Sequence, residues 1–224
     1  MPYFKKTYNH GIPWDTDTLV YQLCPKNACT SVAHMLIQAD GNGYINDTHK
    51  DYETIHALSK PTSTREAWTH CQADVIFAIK RDPVERFVSA YRNRILYHND
   101  LAKKDYFRKV IFRKKAIDPE NIYIRTNKDI NEFIENFDMY WNNLWVQGHF
   151  KSQTVFMGHP KYYTHIFDMS ELDEARKLIS KVSGKDIVLP YLQTGGNDAK
   201  IDLSKDNIKW IKNRYKDDYE NGWC

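Results

Sequence analysis

No run in this 224-residue chain approaches the roughly 20 consecutive apolar residues of a membrane-spanning helix. The first stretch, Met1 to Asp17, is polar and aromatic and lacks the apolar centre of a signal peptide. Both absences lead to the expectation of a soluble, cytoplasmic protein with no membrane segment. Cysteine is scarce as well: Cys24, Cys29, Cys71 and Cys224 show no metal-ligand spacing. Two of them flank an anion-friendly loop described below, which fits a reduced compartment better than a disulfide framework. Charge of one sign is also lacking. A net charge of +3 gives no global electrostatic argument for nucleic acid, and no nucleic-acid partner is expected. Neither an internal repeat nor a low-complexity segment occurs.

What is present points to a folded α/β protein. A hydrophobic share of 42% is enough for a sizeable core, and 14% aromatic residues argue against disorder. The length suits one large domain, and no composition shift marks a boundary, so 1–224 is expected to be a single domain. Val75 to Ile79 is short, apolar and rich in β-branched and aromatic residues, the pattern of a buried strand. After Arg81 a helix start follows: Asp82 suits the N-cap, Pro83 the first helical position and Glu85 the third. Val84, Phe87, Val88, Tyr91 and Ile95 then recur at helical spacing as one apolar face.

A second unit of the same kind lies upstream. Leu19 to Leu23 is an apolar run expected as a strand, and it leads into Cys24-Pro25-Lys26-Asn27-Ala28-Cys29-Thr30-Ser31. Val32, Met35, Leu36 and Ala39 then fall at i, i+3, i+4 and i+7, an amphipathic helix stopped by Gly41 and Gly43. Taken alone, this loop is an ordinary strand-to-helix turn with a surface Lys, because the G-x-x-x-x-G-K-[ST] spacing of a Walker A loop is missing.

The remainder is less informative. Residues 44–72 are polar, contain His49, His56 and His70, and are expected as a crossover with one short helix near 64–70. Residues 96–128 are the most basic part of the chain, a charge run best understood as a solvated face, with Tyr106, Phe107, Phe112 and Tyr123 interleaved. Ile130, Phe133, Ile134, Phe137, Trp141 and Leu144 form one long helical stripe, followed by a polar loop from Gln147 to Gln153. Thr154 to Met157 and Tyr163 to Phe167 are expected as short strands. Ser170 is expected to cap the next helix with Asp173 at its third position, and a last helix starts near Ser204.

In a parallel α/β arrangement both strand-to-helix turns fall at the carboxyl edge of the sheet, where such folds bind ligands. The first offers a helix N-terminus, Lys26 and the hydroxyls of Thr30 and Ser31. The second offers the planar fork of Arg81, with Ser89 roughly 10 Å along the helix at about 1.5 Å per residue. Two separate anion sites suit a ligand with two phosphate-like groups.

Here the residues carry a resemblance. Pro25-Lys26-Asn27-Ala28-Cys29-Thr30-Ser31 resembles the 5′-phosphosulfate loop of sulfotransferases, and the run from Arg81 to Asn93 resembles their 3′-phosphate motif. The likeness is nearest to the carbohydrate (chondroitin/dermatan/HNK-1 type) sulfotransferases. It implies an α/β, P-loop-kinase-like fold with a central parallel sheet flanked by helices. It also implies 3′-phosphoadenosine 5′-phosphosulfate (PAPS) as co-substrate, no metal, and an acceptor hydroxyl, expected on a saccharide. Position by position, Lys26 would stabilise the departing 5′-phosphate. Pro25, Lys26, Asn27, Ala28, Cys29, Thr30 and Ser31 would hold the 5′-phosphosulfate, and Arg81 and Ser89 the 3′-phosphate. Small Ala28 would keep the close backbone approach that Gly supplies in relatives.

Sulfuryl transfer to a hydroxyl also needs a base, and His is the natural residue. His49 is the first choice, because related carbohydrate enzymes place a His in the crossover; His56 is second and His149 third. Two other classes stay open at this point. A small-molecule kinase on a related fold should carry a fuller Walker A loop and a carboxylate for magnesium. A non-catalytic nucleotide or polyanion binder would use the basic segment and show steep salt dependence.

Overall fold

The apolar runs at 19 and 75 form neighbouring strands. The computed structural model describes residues 9–10, 19–39, 41, 61–62, 74–102, 129–141, 143–190 and 201–224. Strands β1 (Asn9–His10) and β3 (Pro61–Thr62) pair antiparallel as a two-stranded ribbon. Strands β2 (Leu19–Gln22), β4 (Val75–Lys80) and β5 (His165–Asp168) form a parallel sheet in the order β2-β4-β5. Leu19 pairs with Val75 and Gln22 with Ala78, while Phe77 pairs with His165 and Lys80 with Asp168. This is the α/β, P-loop-kinase-like architecture of a parallel sheet flanked by helices.

The chain divides into two compact units. The first comprises Met1–Asp82, Gln153–Thr194 and Asp217–Cys224; the second comprises Pro83–Ser152 and Gly195–Lys216. In the first unit, helix Cys29–Ala39 packs Val32, Met35, Leu36 and Ala39 with Tyr21 and Phe77 of the sheet and with Ala175 and Ile179 of helix Leu172–Ser183. The amphipathic face expected for the first helix is only part of its burial, because every residue from Thr30 to Ala39 is buried. Its polar side is satisfied internally. The Gln38 amide donates to Val188 O at 2.8 Å, accepts from Val188 N at 2.9 Å, and lies 3.0 Å from His34 Nδ1.

A smaller cluster of Cys24, Ala78, Phe156, Met157 and Trp223 completes this unit. Thr154–Met157 is helical (Gln153–Met157), not the strand that its β-branched and aromatic residues suggest. The cause is distant in sequence. Asp218, fully buried, accepts from Gln153 N at 2.9 Å and Thr154 N at 2.7 Å, capping that helix from 65 residues away. The cap before Leu172–Ser183 also lies earlier than Ser170. A 3₁₀ turn at Met169–Glu171 intervenes, and Asp168 and Glu171 form the capping box, with Asp168 N donating to Glu171 Oε2 at 2.8 Å. That helix ends at Gly184, whose φ of +67° suits the left-handed C-terminal position.

The second unit begins with helix Pro83–Ala90, where Asp82 and Pro83 place it. A π-helical turn, Tyr91–Tyr97, continues it, with His98 N donating to Asn93 O at 3.0 Å, five residues back. The long stripe from 130 is not one helix but three: Ile130–Glu135, Phe137–Tyr140 and Leu144–Phe150. The first break falls at Asn136, which donates both its backbone N–H, at 3.1 Å, and its side-chain amide, at 2.9 Å, to Glu132 O. The third helix also replaces the polar loop expected at Gln147–Phe150. The apolar stripe itself remains core: Phe87, Tyr91, Phe133, Phe137, Phe150, Ile211 and Tyr215 are buried together. The last long helix, Lys205–Arg214, starts where expected, and Ser204 caps it, accepting from Asn207 N at 3.1 Å.

Among the described residues no helix is long and apolar enough to cross a membrane. His49, His56, His70, Cys71 and the basic stretch 103–128 lie outside the described residues.

Candidate active site

Because β2 and β4 are parallel neighbours, the segments leaving their carboxyl ends emerge side by side. The first is the loop before helix Cys29–Ala39. Lys26 (φ 72°) and Ala28 (φ 53°) both adopt the left-handed conformation, and neither is glycine. Such residues carry backbone strain of about 1–2 kcal/mol each, a feature that clusters at functional sites. Between them Asn27 is fully buried, and its backbone N–H closes a turn onto Cys24 O at 3.2 Å.

The first residue to donate into the helix is Val32, to Ala28 O at 3.0 Å. Ahead of it, the N–H groups of Cys29, Thr30 and Ser31 precede the first intrahelical bond. They carry the positive end of the helix dipole, an arrangement that attracts anions. Thr30 and Ser31 are themselves buried.

The second segment holds Arg81, half-buried just past β4. Its Nη1 donates to Lys26 O at 3.2 Å, so the two turns are in direct contact. A side chain that the sequence did not single out joins them more firmly. Gln153 is fully buried, and its Oε1 accepts from Asn27 Nδ2 at 2.7 Å and from Arg81 N at 3.0 Å. Its Nε2 donates to Arg81 O at 2.8 Å and to Trp223 O at 3.0 Å. The other Asn27 bond runs to Ile79 O of β4, at 2.8 Å. A turn strained at two residues is thereby held by a buried polar network, in which Asn27 Oδ1 alone of that amide's atoms accepts no hydrogen bond among the described residues.

The structure thus brings Pro25, Lys26, Asn27, Ala28, Cys29, Thr30, Ser31 and Arg81 together in the first unit. Ser89 belongs to the second unit, half-buried in helix Pro83–Ala90. His149 is in the second unit too, in the last turn of helix Leu144–Phe150, where its carbonyl accepts from Arg86 Nη1 at 3.2 Å. The loop position expected for it is therefore corrected. His49 and His56 lie outside the described residues.

Tyrosines near the loop do not offer a base. Burial holds Tyr21 well above the ordinary phenol value, with the Cys29 and Cys24 thiols adding to it. Burial does the same to Tyr163. Tyr219 is pushed up to about 12, by burial first and then by Asp82. All three phenols keep their protons at neutral pH.

The arrangement can therefore receive a phosphate-like group at a helix N-terminus beside an ammonium, with a guanidinium in contact with the same loop. It is the chemistry of a nucleotide-type anion rather than of a neutral ligand. Comparison with known proteins gives an independent result: the profile of the sulfotransferase family matches residues 12–221. Searches of curated proteins and of solved structures returned no significant match. A match that takes in both the Lys26 loop and the Arg81 turn, and nearly all the chain between its ends, means that this protein belongs to the sulfotransferase family and is a sulfuryl-transferring enzyme.

Proposed function

We propose that the chain transfers a sulfuryl group from PAPS to a hydroxyl of a carbohydrate acceptor by in-line attack, with 1–224 acting as one sulfotransferase domain in the cytoplasm. The observation that carries this reading is the Lys26 loop: left-handed at Lys26 and Ala28, seated at a helix N-terminus, and touching Arg81. PAPS, when bound, supplies a sulfuryl group on a phosphosulfate and leaves as the 3′,5′-bisphosphate PAP. Lys26 neutralises charge that develops on the departing 5′-phosphate. The segment from Asn27 to Ser31 holds the phosphosulfate, with the N–H groups of Cys29, Thr30 and Ser31 as its donors. Arg81, with Ser89, reads the 3′-phosphate that separates PAPS from ATP. A histidine (His49, His56 or His149) accepts the hydroxyl proton as the new O–S bond forms. No metal enters the scheme. Positioning and charge stabilisation do most of the work, as in phosphoryl transfer.

A thermal-shift comparison of PAP, ADP and ATP with magnesium tests the donor class. At a hundredfold excess over its dissociation constant, PAP should raise the melting temperature by about 5–10 °C. ADP and ATP, lacking the 3′-phosphate, should give a much smaller shift. A shift with ATP and magnesium alone would replace the sulfuryl donor with a phosphoryl one.

A further inference from the structure

The bonds around Gln153 do more than fill a buried space. A side-chain amide has two donor hydrogens and two acceptor lone pairs. All four are used here, on three backbone groups from two separate segments and on one side chain. Oε1 takes Asn27 Nδ2 (2.7 Å) and Arg81 N (3.0 Å); Nε2 gives to Arg81 O (2.8 Å) and Trp223 O (3.0 Å). Arg81 is thus gripped at both its N–H and its carbonyl, much as a neighbouring strand would grip it. Asn27, between the two strained residues of the Lys26 loop, is gripped by the same amide.

Gln153 is in turn fixed at its own backbone by Asp218, at 2.9 Å. It is 0% exposed, so it touches no ligand from solvent and no reacting atom. What it controls is the register between the segment carrying Lys26 and the segment carrying Arg81.

We propose that Gln153 is a positioning residue that sets the separation of the Lys26 and Arg81 anion sites, so that a donor with two phosphate groups is held as one ligand. This rests on the donor reading above. Two linked contacts reinforce each other only if the sites are already at the right spacing; otherwise the ligand must bear the reorganisation. The signature is therefore a loss confined to the ligand that bridges both sites. A ligand that uses one site is little affected.

The test is calorimetric titration of the full chain with PAP and, separately, with 5′-AMP, which lacks the 3′-phosphate. Two variants are compared with the wild type. Gln153→Glu keeps the size and the acceptors but loses both donors. Gln153→Met keeps the length and loses every polar atom. The expected result is a PAP dissociation constant raised about tenfold or more, the scale of a lost buried hydrogen bond, with that of 5′-AMP changed about twofold at most. The ratio of the two constants is the readout. A purely structural role lowers the melting temperature and leaves that ratio at its wild-type value, because the molecules that remain folded bind normally. An unchanged ratio in whichever variant folds overturns the proposal, and so does failure of both variants to fold, which assigns Gln153 to structure alone. Wild-type protein that binds PAP no better than 5′-AMP would overturn the donor reading itself, and this inference with it.

Discussion

Lys26→Ala is expected to lower the rate of sulfuryl transfer by about a hundredfold to a thousandfold, the scale of removing one preorganised charge-stabilising donor. The melting temperature should stay close to that of the wild type. The ammonium acts where negative charge grows as the donor departs, so its loss falls on kcat more than on donor binding. The fold has little reason to change, because Lys26 is held through its backbone: its carbonyl receives Arg81 Nη1 at 3.2 Å. A second substitution separates charge from conformation. Lys26 has φ 72°, where an L-residue is strained. Lys26→Gly should be as inactive as Lys26→Ala yet more stable than it by up to about 1.5 kcal/mol. That difference is the left-handed strain of roughly 1–2 kcal/mol less the entropic cost of glycine, roughly 0.5–1. Paired turnover and melting measurements on the two variants check both statements. Full turnover by either would remove Lys26 from the chemistry.

Phe87→Ala is expected to destabilise the second unit by about 3–5 kcal/mol, as large aromatic truncations in cores do. Phe87 is 1% exposed, and its ring centroid lies 5.0 Å from Phe150, 5.8 Å from Phe137, 6.1 Å from both Phe133 and Trp210, and 6.3 Å from Tyr215. Four of those rings come from four different helices and the fifth, Tyr215, from the cap that ends the last of them, so no single side-chain shift can refill the space. Edge-on and tilted ring pairs add to the loss beyond the buried area. Urea unfolding followed by far-ultraviolet circular dichroism measures the loss as a fall in midpoint. A loss below about 1 kcal/mol would mean that the neighbouring helices collapse onto the gap, contrary to the packing described.

Phe87 and Arg81 lie in one sequence motif and serve different ends. Arg81 reaches the Lys26 loop, donating to Lys26 O. Arg86 is buried within the second unit, donating to the carbonyls of His149 and Lys151 beneath the Tyr215 ring. Arg94 meets buried Asp100 at 2.5 Å. Much of a motif that signals donor binding is thus the scaffold of the adjoining helices.

The strands and both turns were legible in the sequence because their signals are local. Short apolar runs mark β2 and β4, Asp82-Pro83 marks a helix start, and Lys26 to Ser31 carry a resemblance that the family match bears out at the level of sulfotransferase. Where the reading failed, the deciding contact came from far along the chain. Thr154 to Met157 have strand-forming residues, but the Asp218 carboxylate caps them into a helix. Gln153 sat in what looked like a polar loop, and nothing within a few residues of it signals a fully buried hub. Helical periodicity from 130 to 144 located the core face correctly and missed its interruption at Asn136, because the apolar spacing runs on across the break. The strain at Lys26 and Ala28 was likewise hidden: small size at 28 was visible, left-handed backbone was not.

The most direct test of the account is transfer of radiolabelled sulfate from PAPS to a panel of desulfated polysaccharides, with wild type and Lys26→Ala assayed side by side. The account predicts label in a carbohydrate product with wild-type enzyme and release of PAP in equal amount, both reduced to near background in the variant. Label appearing at equal rates with both proteins, or transfer from ATP but not from PAPS, would contradict it.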